Sequence, residues 1–207
     1  MFAQFPFFPR FRPGFLVTGG LLFVWMAGIA WGLSALSAYD NRAGAEASAP
    51  QRWPATTTLA RTSDAATLVF LAHPQCTCTR ASLDELAEIL ARARTKPRTY
   101  VLFLKPRGVT DTWEQTDLWR RAALLPGASI VRDDDGAEAR RFGVETSGQT
   151  LLYDRTGALV FSGGITASRG HAGENAGELA LISLLTNGRS DRRATSVFGC
   201  PLFADAD

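Results

Sequence analysis

The 207-residue sequence has little of several residues on which common protein chemistries depend. It contains three cysteines and two histidines, and its 22 basic residues are nearly balanced by 20 acidic ones, for a formal net charge of +2. Three cysteines are too few for a disulfide-stapled miniprotein, a four-thiolate zinc site or a four-cysteine iron–sulfur centre. Because the basic residues are spread along the chain, we expect no nucleic-acid partner.

The signature motifs of several enzyme classes are also missing. The sequence has no G-x-S-x-G element, and the glycines after residue 162 lack the strand and helix that flank a nucleotide-binding G-x-G-x-x-G loop. The acidic run at residues 133–135 lacks the later ligands of a calcium loop and is interpreted as a helix cap. With 46% hydrophobic and 20% charged residues, the chain suits one folded domain with appendages.

One long run near the N-terminus lacks charge altogether. No charged side chain lies between Arg12 and Asp40, and residues 15–36 would rise roughly 33 Å as a helix, which is enough to cross a bilayer core. A cleaved signal peptide is the alternative, but its apolar part is only about 7–15 residues long. We therefore predict a cytoplasmic N-terminus at residues 1–13 and an uncleaved transmembrane anchor at residues 14–38.

The charges that flank this run predict its orientation. Arg10 and Arg12 precede it, and basic residues stay on the cytoplasmic side. We expect a single-pass protein of a bacterial-type inner membrane whose C-terminal domain is periplasmic or otherwise extracytoplasmic. Cysteines in such a domain meet an oxidising compartment.

The remainder of the chain divides by composition and periodicity. Residues 39–63 are rich in Ala, Ser, Thr and Pro and are predicted to be a linker, residues 64–188 a folded domain, and residues 189–207 a tail carrying Cys200. Within the domain, buried strands and helices alternate, a helix is expected from about Thr112 to Leu124 with Asp111 as its cap, and two apolar runs around a D-x-x-G turn predict a hairpin. The order β-α-β-α-(β-α)-β-β-α predicts an α/β fold in which helices flank a mixed sheet.

Two cysteines lie at the junction between a predicted strand and a predicted helix. The apolar strand TLVFLA is followed by HPQCTC, and then by a helix with leucines at helical spacing. Unpaired amides at a helix start carry partial positive charge, which stabilises a thiolate, the form of cysteine that attacks disulfides and binds soft metals. Cys76 and Cys78 are therefore the candidate catalytic residues.

The segments TLVFLAHPQCTCTRASLDELAEI and QTLLYDRTGALVFSGGI, together with the element order, resemble the thioredoxin-like superfamily. More narrowly, the chain looks like the membrane-anchored thioredoxin-like proteins labelled RedB. The superfamily resemblance implies thiol–disulfide exchange or, as in copper-assembly relatives, a Cu(I) site.

The sequence departs from the superfamily pattern in two ways. The usual cysteine pair is C-x-x-C, whereas this chain has C-x-C, and alignments from the strand or from the helix leave open which of Cys76 and Cys78 attacks. A cis-proline usually precedes the hairpin, and Gln149 stands at that position here. Because a cis bond before a non-proline residue costs about 3 kcal/mol, we predict a trans peptide, which puts in doubt substrate docking at the usual backbone edge.

Four further residues are candidate auxiliaries. The topology predicts that the loop after the hairpin overhangs the cysteines, with Arg169 to stabilise a thiolate and His171 to shuttle a proton or bind metal; a solvated loop is the alternative. His73 either tunes the neighbouring thiols or is an ordinary loop residue. Cys200 lies in an unusually apolar stretch of the tail and is interpreted as a resolving thiol, a metal ligand or a buried structural cysteine.

These observations predict a membrane-tethered, exported thiol–disulfide oxidoreductase without a cofactor, acting on exported protein thiols or disulfides. The alternative is a carrier or assembly factor for copper or another soft metal, with Cys76, Cys78, Cys200 and His171 as ligands. A thioredoxin-fold adaptor with a structural disulfide is a third hypothesis.

Overall fold

The structure, a computed structural model, describes residues 13–203, which form two separate units that meet between Tyr39 and Asp40. The first unit is a single helix, α1 (Pro13–Asp40). Its sequence from Val17 onwards has a mean hydropathy of 1.8 and is long and apolar enough to cross a membrane.

The second unit is built on a five-stranded mixed sheet of strand order β3-β2-β1-β4-β5. The strands β1, β2 and β3 are parallel, and β4 and β5 form an antiparallel hairpin that joins the sheet through β4 beside β1. In chain order the elements are β1 (Thr67–Ala72), α2 (Thr77–Arg92), β2 (Arg98–Lys105), α3 (Asp117–Ala122), β3 (Ala128–Asp134), α4 (Ala137–Arg141), β4 (Thr150–Tyr153), β5 (Leu159–Gly163) and α5 (Ala176–Asn187).

The central strand β1 is buried on both faces, as its continuous apolar run predicts. Leu68 and Phe70 pack into a core with residues of α2, α3 and α5, whereas Val69 and Leu71 pack on the opposite face with residues that include Phe142. Helices therefore cover both faces of the sheet, and the predicted α/β architecture is confirmed.

The third helix differs from its sequence prediction. Residues 111–116 form turns in place of the first helical turns, and α3 begins only at Asp117, with Thr116 as its N-cap. The Thr116 hydroxyl donates a hydrogen bond to the Pro74 carbonyl at 2.9 Å. This contact ties the start of α3 to the turn after β1, so a tertiary interaction places the helix boundary.

The stretch predicted as a linker begins inside the end of α1, and residues 41–63 form no helix and only an isolated bridge at Arg52, but their backbone is bonded to the domain. Ser48 N–H donates to Gly143 O at 2.9 Å, and Trp53 N–H donates to Gly157 O at 2.8 Å. The Trp53 ring also packs edge-to-face against Phe142. Part of this segment therefore belongs to the folded unit.

Candidate active site

Cys76 lies at the junction between the central strand and the first helix of the domain. The chain leaves β1 at Ala72 and makes a turn in which Cys76 N–H donates to His73 O at 3.1 Å; α2 then begins at Thr77. Cys76 is the N-cap residue of α2, with an extended backbone (φ −88°, ψ 116°). Its sulfur is thus held at the electropositive end of the helix.

The second cysteine of the C-x-C pair lies within the first turn of α2. Cys76 is 1% exposed and Cys78 is 8% exposed, so solvent has little access to either residue. The start of α2 gives the two cysteines different positions: Cys76 is the cap residue, and Cys78 lies inside the helix.

Cys200 reaches the same place from the C-terminal tail. Residues 200–202 pair antiparallel with residues 145–147: Ser147 N–H donates to Cys200 O at 2.9 Å, and Leu202 N–H donates to Glu145 O at 2.7 Å. Cys200 is partly exposed, and all three cysteines are free thiols.

The three thiols have opposed pKa shifts. Burial raises the pKa of the Cys76 thiol, but hydrogen bonding from the Cys200 thiol and backbone and from Thr79 outweighs burial, so the net pKa lies below its usual value. Burial raises the pKa of Cys78, and the charge of the neighbouring Cys76 raises it further. Burial and the contact with Cys76 raise the pKa of Cys200 to about 12. Of the three, Cys76 is the thiol most readily ionised.

The hydroxyls of Ser147 and Thr79 connect the segments around Cys76, and neither residue was predicted from the sequence. Ser147 Oγ accepts a hydrogen bond from His73 N–H at 2.8 Å and lies 2.8 Å from Thr79 Oγ1. These contacts join the turn after β1, the first turn of α2 and the loop before β4. Isolated Ser and Thr residues carry no sequence signal for such a role.

His73 lies in the turn and is half-buried. Its Nδ1 accepts a hydrogen bond from Gln75 N–H at 3.2 Å, and its ring packs edge-to-face on Trp113 at 5.6 Å. Burial lowers the pKa of His73. The neutral imidazole is therefore favoured, and it buttresses the turn that holds Cys76.

Gln149 stands at the position where the superfamily places its cis-proline. No cis peptide bond occurs in residues 13–203, so the bond before Gln149 is trans, as predicted. The Gln149 amide donates to Ser162 Oγ of β5 at 3.0 Å. Its contact is thus with the edge strand of the sheet.

The loop after β5 contributes one residue to the cysteine cluster. Arg169 donates from Nη1 to Gly199 O at 2.7 Å and from Nε to Arg42 O at 3.2 Å. Its charge lowers the pKa of Cys78 and of Cys200, against the larger effect of burial. His171 is exposed and lies 2.7 Å from Arg169 O through Nδ1.

The structure gives the soft-metal alternative no direct support. Within the described part of the chain, no group of three or more His, Cys, Asp or Glu side chains is placed to hold a metal ion. His171 contacts the backbone of its own loop, and the set of Cys76, Cys78, Cys200 and His171 as ligands stays a prediction.

Solved structures share this fold, although the sequence itself matches no family model and no curated protein. An uncharacterised conserved protein from Geobacillus kaustophilus is 14% identical, with a TM-score of 0.55 over 80% of this chain and 94% of that one. A hypothetical protein from Sinorhizobium meliloti is 16% identical, with a TM-score of 0.53 over 78% and 98%.

A more distant similarity is to a secreted Mycobacterium tuberculosis disulfide oxidoreductase, which is 12% identical with a TM-score of 0.41 over 60% of this chain and 81% of that one. The strand order of the mixed sheet and its antiparallel hairpin give the domain a thioredoxin-like fold. The narrower resemblance to the membrane-anchored RedB group stays a prediction.

Proposed function

We propose that this protein is a thiol–disulfide oxidoreductase whose attacking sulfur is Cys76, tethered to a membrane through α1 and exposed on the exported side. The observation that carries the proposal is that Cys76 combines a position at the start of a helix with a thiol that ionises more readily than its neighbours. It is the N-cap of α2, and it has a lowered thiol pKa beside two thiols whose pKa values are raised.

The chemistry follows from that difference. Only the thiolate attacks a disulfide, and a thiol that ionises near neutral pH supplies more of it. A Cys76 thiolate attacks one sulfur of a client disulfide, and the other client sulfur leaves with the electron pair. A second thiol of this protein then attacks Cys76 in the mixed disulfide and frees the client. Cys78 is the partner that the C-x-C spacing suggests.

Tethering and export rest on α1 and on the charges around it. The helix is long and apolar enough to span a membrane, and Arg10 and Arg12 precede it in the sequence. The positive-inside rule then places the cysteines outside the cytoplasm, among exported protein thiols and disulfides. An epitope fused after the last residue should be cut by protease added to intact spheroplasts; protection of the epitope until lysis would contradict this orientation.

The exchange reaction itself is tested with the full chain in detergent. Cys76→Ser should reduce the rate of exchange with a small-molecule disulfide by on the order of a thousandfold, because a serine hydroxyl does not ionise near neutral pH. Cys78→Ser is the matched control, two residues away and similarly buried, and should retain most of the rate of the first attack, which is read as formation of the mixed disulfide with the small molecule. Equal losses in both variants, or none in Cys76→Ser, would contradict the assignment.

A further inference from the structure

The tail strand, residues 199–202, lies on the backbone edge that precedes β4. Its pairing with residues 145–147 has the pattern of an added antiparallel strand. Main-chain hydrogen bonds of this kind are how an extended peptide is captured at an exposed sheet edge. The site beside Cys76 thus already holds a peptide, which is supplied by the chain's own C-terminus.

The residues of the tail strand are suited to this seat. Gly199 packs so closely on Ser147 that a Cβ atom would overlap the Ser147 carbonyl oxygen. Pro201 pairs with Thr146 at the position whose N–H the bridge does not use, because the bonds run through Cys200 O and Leu202 N–H. A glycine and a proline therefore flank Cys200 where each fits.

Both ends of the tail are also fixed to the domain. Before the tail strand, Thr195 Oγ1 donates to Gly164 O at 2.7 Å, and Val197 is buried. After it, the Phe203 ring lies under the Arg140 guanidinium at 4.0 Å. Cys200 is thus held at a defined point, and its thiol and N–H both act as hydrogen-bond donors to Cys76.

The three cysteines differ in their exposure to solvent. Cys76 and Cys78 are buried, and Cys200 is the only one of the three that is partly exposed. Cys78 also contacts Cys76 through its side chain, so access to solvent rather than distance is what distinguishes the two neighbours of Cys76. A client would therefore meet Cys200 first, whereas Cys76 lies beneath it.

We propose that the redox-active disulfide of this protein joins Cys76 to Cys200, and that clients exchange with the Cys200 sulfur while the tail strand occupies the docking edge. This proposal rests on the proposed function and replaces Cys78 with Cys200 as the partner. A client thiolate attacks Cys200 Sγ, the Cys76–Cys200 bond breaks, and the electron pair leaves on Cys76 as its thiolate.

The second half of the reaction completes the electron balance. A second thiolate of the client attacks the client sulfur of the mixed disulfide, and Cys200 leaves as a thiolate that takes up a proton. The client dithiol is oxidised to a disulfide as the protein disulfide is reduced by two electrons.

Peptide mapping of the full chain in detergent tests the pairing. The protein is oxidised with a small-molecule disulfide, its free thiols are alkylated, and it is digested with trypsin without reduction. Cys76 and Cys78 then lie on peptide 62–80, and Cys200 lies on peptide 194–207. We expect the two peptides to be joined, with one alkyl group on peptide 62–80, located at Cys78 by fragmentation.

Variants make the result decisive. Cys78→Ser should leave the joined peptides at the wild-type level, whereas Cys76→Ser should reduce them at least tenfold. A disulfide within peptide 62–80, with alkylated Cys200, overturns the proposed pairing; if exchange activity persists, the proposed function stands. Joined peptides in a protein that exchanges with no protein thiols or disulfides would instead remove the function and keep the pairing. Absence of any disulfide after oxidation overturns the pairing as well.

Discussion

Cys76 has two neighbouring thiols, and the molecule holds them by different means. Cys78 is carried on the same helix and is fixed by the local backbone of α2. Cys200 is distant in sequence and is brought in by a short strand whose bonds are made to residues 145–147. Proximity in sequence thus gives Cys76 one neighbour, and pairing of the tail with the loop before β4 gives it another.

Because Cys78 and Cys200 are held by different means, one part of the site can open more easily than the other. The residues around Cys76 and Cys78 belong to the buried core through Phe70 and Leu83, and opening them requires unfolding of the domain. The tail strand depends on a few backbone bonds and on the close packing of Gly199. We therefore expect conditions that loosen the tail strand to change the access and ionisation of Cys76 while leaving the fold intact.

Gly199→Ala should loosen the tail strand more than the other variants do. The added methyl group would overlap the Ser147 carbonyl oxygen, and overpacking costs about 1–3 kcal/mol. The tail strand should then open about 5- to 150-fold more often, and Cys76 should be alkylated correspondingly faster. The rate is measured by mass spectrometry at a pH where Cys76 is a thiolate in both proteins.

The control for this variant is Asp191→Ala, an exposed change earlier in the tail that should leave the alkylation rate of Cys76 unchanged. An unchanged rate in Gly199→Ala would show that the tail strand does not shield Cys76. A collapse of the thermal unfolding transition would show that the tail strand is integral to the whole domain.

A smaller loosening is expected from Arg169→Met, which removes the hydrogen bond to Gly199 O and the one to Arg42 O. One net hydrogen bond is worth about 1 kcal/mol, so Cys76 alkylation should rise roughly fivefold. Arg169→Lys keeps the charge near Cys78 and Cys200 but not the guanidinium geometry. If Arg169→Lys behaves as wild type, charge and not tail anchoring explains the role of Arg169.

The smallest effect should fall on the other side of Cys76, at the turn containing His73. Burial lowers the pKa of His73, so the unfolded chain binds more protons than the folded one at pH values near and below the ordinary histidine pKa. Stability should therefore decrease as pH falls through about 6.5, and protonation would also remove the Nδ1 acceptor of Gln75 N–H.

His73→Asn tests this effect, because its side-chain oxygen can accept the same bond without titrating. The decrease in urea midpoint between pH 8 and pH 5 should be smaller in this variant than in wild type. The chain's other histidine provides the control: His171 is exposed, and His171→Asn should keep the wild-type slope. If the urea midpoint falls equally between pH 8 and pH 5 in all three proteins, His73 is not the cause of the decrease.

Much of the fold could be predicted because its strands are unambiguous. TLVFLA is a continuous apolar run bounded by a turn, and the D-x-x-G turn marks the hairpin, so the order and direction of the strands follow from general topology rules. The α3 boundary could not be predicted, since Thr116 bonds to Pro74 across the fold and no local pattern encodes that contact.

The site could be predicted only as far as local chemistry reaches. The cysteine pair at a strand–helix junction identified Cys76 and Cys78, but the attacking residue depends on α2 starting at Thr77 and on donors from Thr79 and Cys200. Chain length allowed Cys200 to return, yet it does not set a register. The segment Gly199-Cys200-Pro201 carries a signal for this placement. Glycine permits close packing, and proline suits a position whose backbone N–H makes no hydrogen bond.

Absorbance of the thiolates as a function of pH checks the assignment of Cys76: the full chain is reduced, Cys76 and Cys78 are replaced in turn by serine, and Cys200 is replaced by alanine, which carries no hydrogen-bond donor. We predict an ionisation below the ordinary thiol range that is lost in Cys76→Ser, kept in Cys78→Ser and moved to higher pH in Cys200→Ala, where the thiol donor to Cys76 is removed. Persistence of the low step in Cys76→Ser, or its absence from the wild-type protein, would contradict the assignment of Cys76 as the reactive sulfur.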